Sequence, residues 1–242
     1  VVAILAVLTG ATDLLTRVDH SVARWAYEHP PFSHRLLTLV TDLGEAWTVL
    51  IVATAIAMVD FVRRRSYWGL PFMLVVILGA KLWTQLLKQL VDRARPPFEP
   101  VAATLGPSFP SGHSSTAAAA WAAFAFVAAL WWGRRARIPL GGLAVAIAVA
   151  VAASRVLLDV HWLTDVIAGL VLGWAWFALC AIAFARLLTG PRALGLSDPG
   201  SSRRGRSGEP RDRGSGSSRS SATAPATGSE SRSGSRCGRP AR

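Results

Sequence analysis

Long apolar runs separated by short polar clusters set the pattern of this chain. A bilayer core takes about 20 apolar residues per spanning helix. Runs of roughly that length over 46–62, 67–87, 115–132, 139–158 and 162–185 predict five spanning helices. The opening run, 1–12, is too short to span alone. It has no initiator Met, basic flank or small-residue cleavage site, so it does not read as a signal peptide. It reads as the remnant of a first spanning helix whose start is missing. The expectation is therefore all-α: a polytopic membrane bundle of about six helices, the first truncated, without internal repeats. Residues 1–189 form the membrane domain in this reading.

Composition adds a second region. The chain is 52% hydrophobic with a net charge of +12, and its charge is unevenly placed. Residues 190–242 hold eleven Arg against four acids in a Ser, Gly, Arg and Pro background without apolar periodicity. That composition predicts a disordered basic tail. Beside a bilayer its expected partner is anionic lipid headgroups rather than nucleic acid. Two cysteines, Cys180 in a span and Cys237 in the tail, make no disulfide framework. Lysine occurs twice against 24 arginines, a bias that suits a GC-rich bacterial genome.

With six spans, Arg63, Arg64, Arg65, Arg134, Arg135 and Arg137 fall on the same side as the tail. The opposite side receives a loop over 13–35 and seven Lys or Arg. A plain count is a draw. Four of the seven (Lys88, Arg93, Arg95 and Arg155) lie in polar clusters where a phosphate would explain them. Setting these aside and adding the tail makes the first side the basic one, hence cytoplasmic. Trp68, Trp131 and Trp132 mark the same boundary. The clusters then face outward.

Three clusters carry candidate chemistry, because ionisable groups at the ends of membrane helices are costly to keep there. The first is Lys88 to Pro96, where Lys88 offers a point charge and Arg95 a planar fork that fits phosphate oxygens. Pro96 and Pro97 are expected to stop the helix and leave Arg95 at its exit. A snorkelling interfacial cluster is the alternative. Lys81, Gln85 and Lys88 share one helical face, which the cost of a lipid-facing ammonium turns inward; Lys81 either touches a substrate or pairs with a carboxylate, and the structural pairing is the preferred reading. The second cluster is Pro110-Ser111-Gly112-His113 before a helix-forming run. An exposed helix start there offers backbone N–H groups, a Ser111 hydroxyl and close approach at Gly112 to an anion, with His113 beside it. A plain cap with a surface histidine is the alternative. In the third, His161 and Asp165 are four apart and share a face if helical, giving an oriented imidazole. Arg155 stands six residues earlier, across a helix break. An ordinary i, i+4 pair is the alternative. A metal site lacks a third His, a Cys or a Glu at suitable spacing, so neither metal nor other cofactor is expected.

The remaining polar residues read as structural. Asp42 and Glu45 fit a capping box opening a helix. Asp60 lies near the Arg63 run, and Asp159 lies in the break before His161. His20, His29 and His34 fall in the 13–35 loop and are expected to be solvated.

Taken in order, the clusters resemble the type 2 phosphatidic acid phosphatase (PAP2) and vanadium haloperoxidase superfamily. Its pattern is K-x6-R-P, P-S-G-H and S-R-x5-H-x3-D. Lys88, Arg95, Pro96, Pro110 to His113, Ser154, Arg155, His161 and Asp165 occupy every fixed position. The resemblance covers nearly all of the membrane part and none of the tail. It implies that Lys88, Arg95, Ser111, Gly112 and Arg155 hold a phosphate. It implies that His161, oriented by Asp165, attacks phosphorus to give a phosphohistidine. His113 would then protonate the leaving oxygen and later activate water, without a metal. The implied activity is a membrane lipid phosphatase or diphosphatase. Undecaprenyl diphosphate suits an outward bacterial site, with phosphatidic acid and phosphatidylglycerol phosphate as rivals. A vanadate haloperoxidase is a soluble protein, which the spans disfavour. A non-catalytic transporter or lipid-binding scaffold predicts no phosphate release.

Overall fold

The computed structural model describes residues 13–29, 32–97 and 106–189; the runs 1–12 and 190–242 lie outside the described residues, and with them the truncated first span and the tail. Among the described residues, regular structure is entirely helical. The helices are α1 (Asp13–Glu28), α2 (His34–Asp42), α3 (Ala46–Arg64), α4 (Gly69–Val91), α5 (Gly112–Trp132), α6 (Arg137–Leu157) and α7 (Leu163–Thr189). A 3-10 turn, Arg134–Ala136, leads into α6. Five segments are long and apolar enough to cross a membrane: Ala46–Arg64, Gly69–Val91, Gly112–Trp132, Arg134–Leu157 and Leu163–Ala185. These agree closely with the five expected full-length spans.

The region expected to be a loop, 13–35, is instead mostly helix. The buried positions of α1 are Asp19, Ala23 and Ala26, spaced three and four apart. Such a stripe is helical in period, but a carboxylate and two alanines make it nearly invisible to a search for apolar runs. Ser33 starts α2, its hydroxyl accepting from the Leu36 N–H at 3.4 Å. His20 and His34 are therefore helical, though both are exposed as expected.

α5 is the central helix and packs against α3, α4, α6 and α7. Its most apolar 18-residue window is 67% buried, against 17–39% in the other spans, which leave outward faces to lipid. Buried Ala117, Ala118, Ala119, Ala120 and Ala123 keep its surface thin enough for close helix contact. Gly169 and Gly173, one turn apart on α7, meet it. A Cβ on Gly169 would stand 2.6 Å from the Ser111 carbonyl, and one on Gly173 would stand 2.8 Å from Ala118 Cβ. This small-xxx-small contact brings the starts of α5 and α7 together, where the Ser111 N–H donates to the Asp165 carbonyl at 3.0 Å.

The opposite end of the bundle is tied separately. Buried Asp60 accepts from Trp131 Nε1 at 2.8 Å and pairs with Arg64 at 3.3 Å. Arg63 lies over the rings of Trp131 and Trp132.

Candidate active site

At the end of the bundle where α4 and α6 finish and α5 and α7 begin, Lys88, Arg95, Gly112, His113, Arg155 and His161 line one cavity of about 380 Å³. Lys81, Gln85 and Glu45 line it as well. The cavity walls thus bring together residues up to 117 positions apart in sequence (Gly44 and His161). Four cationic side chains face one carboxylate there, an environment that favours an anion.

The cations approach from different elements. α4 ends at Val91, where Asp92 takes a left-handed conformation (φ 41°), so the helix stops before Pro96 rather than at it. Asp tolerates that conformation better than most residues. Arg95 consequently lies in the loop beyond the helix. Its guanidinium donates to the carbonyls of Val160 at 2.6 Å and Gly106 at 3.0 Å. Burial holds its pKa below the ordinary guanidinium value, with Asp165 opposing. Lys88 donates to the Pro107 carbonyl. Arg155 is 3% exposed; its Nη1 donates to Thr41 Oγ1 at 3.1 Å, while its buried Nε has no partner. A buried guanidinium with an unmet donor is costly unless an anion comes to it. Lys81 makes no ion pair with a carboxylate among the described residues. It lines the cavity instead of holding the structural pairing expected of it.

His161 precedes α7, in the turn after α6, so it does not share a helical face with Asp165 as expected. Asp165 is the third residue of α7 and reaches back to the Trp162 N–H at 3.0 Å, half of a capping box. That backward reach is what brings its carboxylate near the imidazole. His161 Nδ1 lies 3.6 Å from Asp165 Oδ2 and 3.4 Å from Ser108 Oγ. The first is an ion-pair distance rather than a formed hydrogen bond. With Nδ1 turned to these groups, Nε2 is left for the cavity. Burial lowers the His161 pKa to about 4 against the pull of Asp165, so the imidazole is neutral and its lone pair free near neutral pH.

Asp165 does not line the cavity; it is fully buried behind His161 and held on several sides. Arg93 donates to its Oδ1 at 2.7 Å, and Ser108 donates to its Oδ2. Arg93 also pairs with buried Asp19 of α1 at 2.7 Å. Asp19 in turn accepts from the Thr164 N–H at 2.9 Å and its hydroxyl at 2.6 Å. Ser111 stands at the N-cap position of α5, makes no side-chain capping bond there, and is also fully buried. Its hydroxyl accepts from Ser114 Oγ at 2.9 Å and does not line the cavity.

His113 stands in the first turn of α5 with Nε2 at 2.8 Å from Glu45 Oε2. The capping box expected of Asp42 and Glu45 is absent: Asp42 ends α2, and Glu45 precedes α3 without a side-chain bond to it. Burial by itself would raise the Glu45 carboxyl, but the Ala46 N–H and the His113 imidazole hold it below the usual carboxylate range.

The family model for the PAP2 superfamily matches residues 68–188. The chain belongs to the PAP2 superfamily. A phosphatidylglycerophosphatase B of Bacillus subtilis (strain 168) is 33% identical over 171 residues, covering 69% of this chain and 84% of the relative. A lipid A 1-phosphatase of Rhizobium etli is 36% identical over 187 residues, covering 66% and 75%. The crystal structure of the first transmembrane PAP2 type phosphatidylglycerolphosphate phosphatase from Bacillus subtilis matches with TM-score 0.69 at 29% identity, covering 76% of this chain and 94% of that one. The protein is thus a multi-pass membrane hydrolase of the PAP2 phosphatase type.

Sequence reasoning missed several residues around this PAP2 site: Glu45, Arg93 as a clamp on Asp165, Ser108, Thr41 and Asp19. Arg93 alone carried a local signal, as a third cation in the Lys88 to Pro96 cluster. The others come from α1, from α2, from the turn before α3 and from the loop before α5. Only the packing of those elements brings them to the site.

Proposed function

We propose that this chain hydrolyses the phosphate monoester or diphosphate of a membrane lipid through a phosphohistidine on His161. The observation that carries the reading is the convergence of His161, His113, Lys88, Arg95, Arg155 and Gly112 on one cavity, with Asp165 directly behind His161. Lys88, Arg95, Arg155 and the N-terminal N–H groups of α5 hold the phosphoryl oxygens and neutralise charge that grows in the transition state. Ser111 contributes by accepting from Ser114 Oγ and so fixing the first turn of that helix. His161 Nε2 attacks phosphorus while Asp165 and Ser108 fix the ring through Nδ1. His113 protonates the departing oxygen, then takes a proton from the water that releases phosphate.

A lipid substrate follows from where the cavity lies, at one end of a bundle of five membrane-length helices. The names of the relatives, a phosphatidylglycerophosphatase and a lipid A phosphatase, lie in the same substrate class. Undecaprenyl diphosphate, phosphatidic acid and phosphatidylglycerol phosphate are the substrates to compare. The site faces the outside of the cell in this reading, with the basic stretch 190–242 on anionic headgroups of the inner surface.

The test is phosphate release from those lipids, and from lipid A, by the full chain in detergent, with and without EDTA and alongside His161→Ala. Release by the wild type, unaffected by EDTA and lost in the variant, is expected. Equal inactivity of both proteins on every lipid would favour a non-catalytic membrane role. Loss in EDTA with recovery on adding a divalent ion would overturn the metal-free mechanism.

A further inference from the structure

Glu45 stands outside the three sequence clusters and before the matched segment, yet it is placed with care. The turn that carries it is seated on the first turns of α5. A Cβ on Gly44 would lie 2.9 Å from the His113 carbonyl and 2.8 Å from Val151 Cγ1, so glycine is needed for this approach. Trp121 Nε1 of α5 donates to the Leu43 carbonyl at 3.0 Å and ties the same turn from the other side. Apart from the adjacent Ala46 N–H, the Glu45 carboxylate is not engaged in capping its own helix. It meets His113 Nε2 at 2.8 Å, and both residues line the cavity.

We propose that Glu45 is a positioning residue for His113, holding the proton of Nε2 at the leaving-group side of the cavity and sharing in its delivery and recovery. The inference rests on the phosphatase reading above. As the bond from His161 Nε2 to phosphorus forms, the bridging P–O bond breaks and its electron pair goes to the departing oxygen. That oxygen takes the proton held between His113 and Glu45. In the second half, water attacks the phosphohistidine, its proton returns to the His113–Glu45 pair, and the N–P electron pair returns to His161. A carboxylate fixed beside an imidazole suits both directions, since it stabilises the imidazolium that must form when water is deprotonated.

The consequence is a dependence on leaving group. General acid help matters most when the departing oxygen is basic and least when it leaves readily as an anion. The experiment measures kcat and KM for the full chain in detergent on water-soluble aryl phosphates spanning a range of leaving-group acidity. Glu45→Gln should lower kcat by about 10–100-fold on the most basic leaving group and by less than about threefold on the most acidic. KM should change little, and Glu45→Asp should recover part of the loss. In a His113→Asn background, Glu45→Gln should add nothing, because residues acting as a unit are non-additive. A uniform loss across the series, an effect confined to KM, or additivity with His113→Asn would overturn the proposal. A wild type inactive on every ester, or a His161→Ala variant as active as wild type, would overturn the phosphatase reading itself and this inference with it.

Discussion

His161 and Asp159, two residues apart, are both buried, and burial moves their ionisation in opposite directions. For His161 it lowers the pKa to about 4 and keeps the proposed nucleophile unprotonated. The protonated ring cannot attack, so kcat/KM should hold steady as pH falls from 8 to about 5. Below about 4 it should drop about tenfold per unit, as a single ionisation requires. The pH profile, corrected for ionisation of the substrate, checks this, and an acid limb near 6.5 would mean a solvated imidazole. For Asp159 burial raises the pKa to about 6. The carboxyl sits in a left-handed turn (φ 54°), 6% exposed, with Oδ1 unpartnered among the described residues. Its folded value lies above its unfolded one, so it supports the fold at low pH, and that support is lost as pH rises through about 6. Asp159→Asn keeps the shape, tolerates the conformation and removes the ionisation. It should raise the melting temperature by about 2–4 °C at pH 8 and change little at pH 4. A lower melting temperature at pH 8 would show that the charged form is favourably held.

Helices outside the five membrane-length segments finish the site built by those segments. Asp19 of α1 holds Arg93 at 2.7 Å, and Arg93 holds Asp165 at 2.7 Å, so α1 braces the carboxylate behind His161. Asp19→Ala removes one of the two carboxylates that hold Arg93 and frees that brace. The expected result is a loss of stability of about 1–3 kcal/mol and a fall in kcat of about tenfold or more, with KM nearly unchanged. Steady-state kinetics and a thermal melt read the two effects, and an unchanged kcat would reduce α1 to a packing role. Between spans the critical contact is that of Gly173 of α7 against Ser115 and Ala118 of α5. Gly173→Val pushes α7 away from Ala118 and the Ser115 carbonyl and should cost about 1–3 kcal/mol. Gly141→Ala, with nothing within 4 Å of its Cβ, is the matched control and should be neutral or slightly stabilising. The spans were legible in the sequence because lipid demands long apolar runs, and the site clusters because their spacing is local. α1 was not legible, since Asp19, Ala23 and Ala26 carry its buried stripe. Nor were the partners of His113, Arg93 and Asp165 fully legible, because Glu45, Asp19 and Ser108 reach them only through tertiary packing.

Across the whole bundle, the partners held by the cations at each end bear on which way the protein faces. The counts of basic residues on the two sides were a draw until the cluster cations were set aside. In the structure Arg93 is paired with Asp19 and Asp165, Arg95 and Lys88 bind loop carbonyls, and Arg155 binds Thr41. Cations committed in this way to the site are weak topology signals. At the other end Arg134 and Arg135 are exposed, and no ion pair among the described residues engages them or Arg137. Free cations of this kind are what hold a loop in the cytoplasm. The site end should therefore face outward. Single cysteines test this directly in a background with Cys180 and Cys237 replaced by serine. Glu28→Cys, exposed at the end of α1, should react in intact cells with a maleimide that cannot cross the membrane, whereas Arg135→Cys should react only after the membrane is opened. The reverse pattern would invert the protein. The phosphate would then be removed at the inner leaflet, which would exclude a lipid presented only on the outer surface.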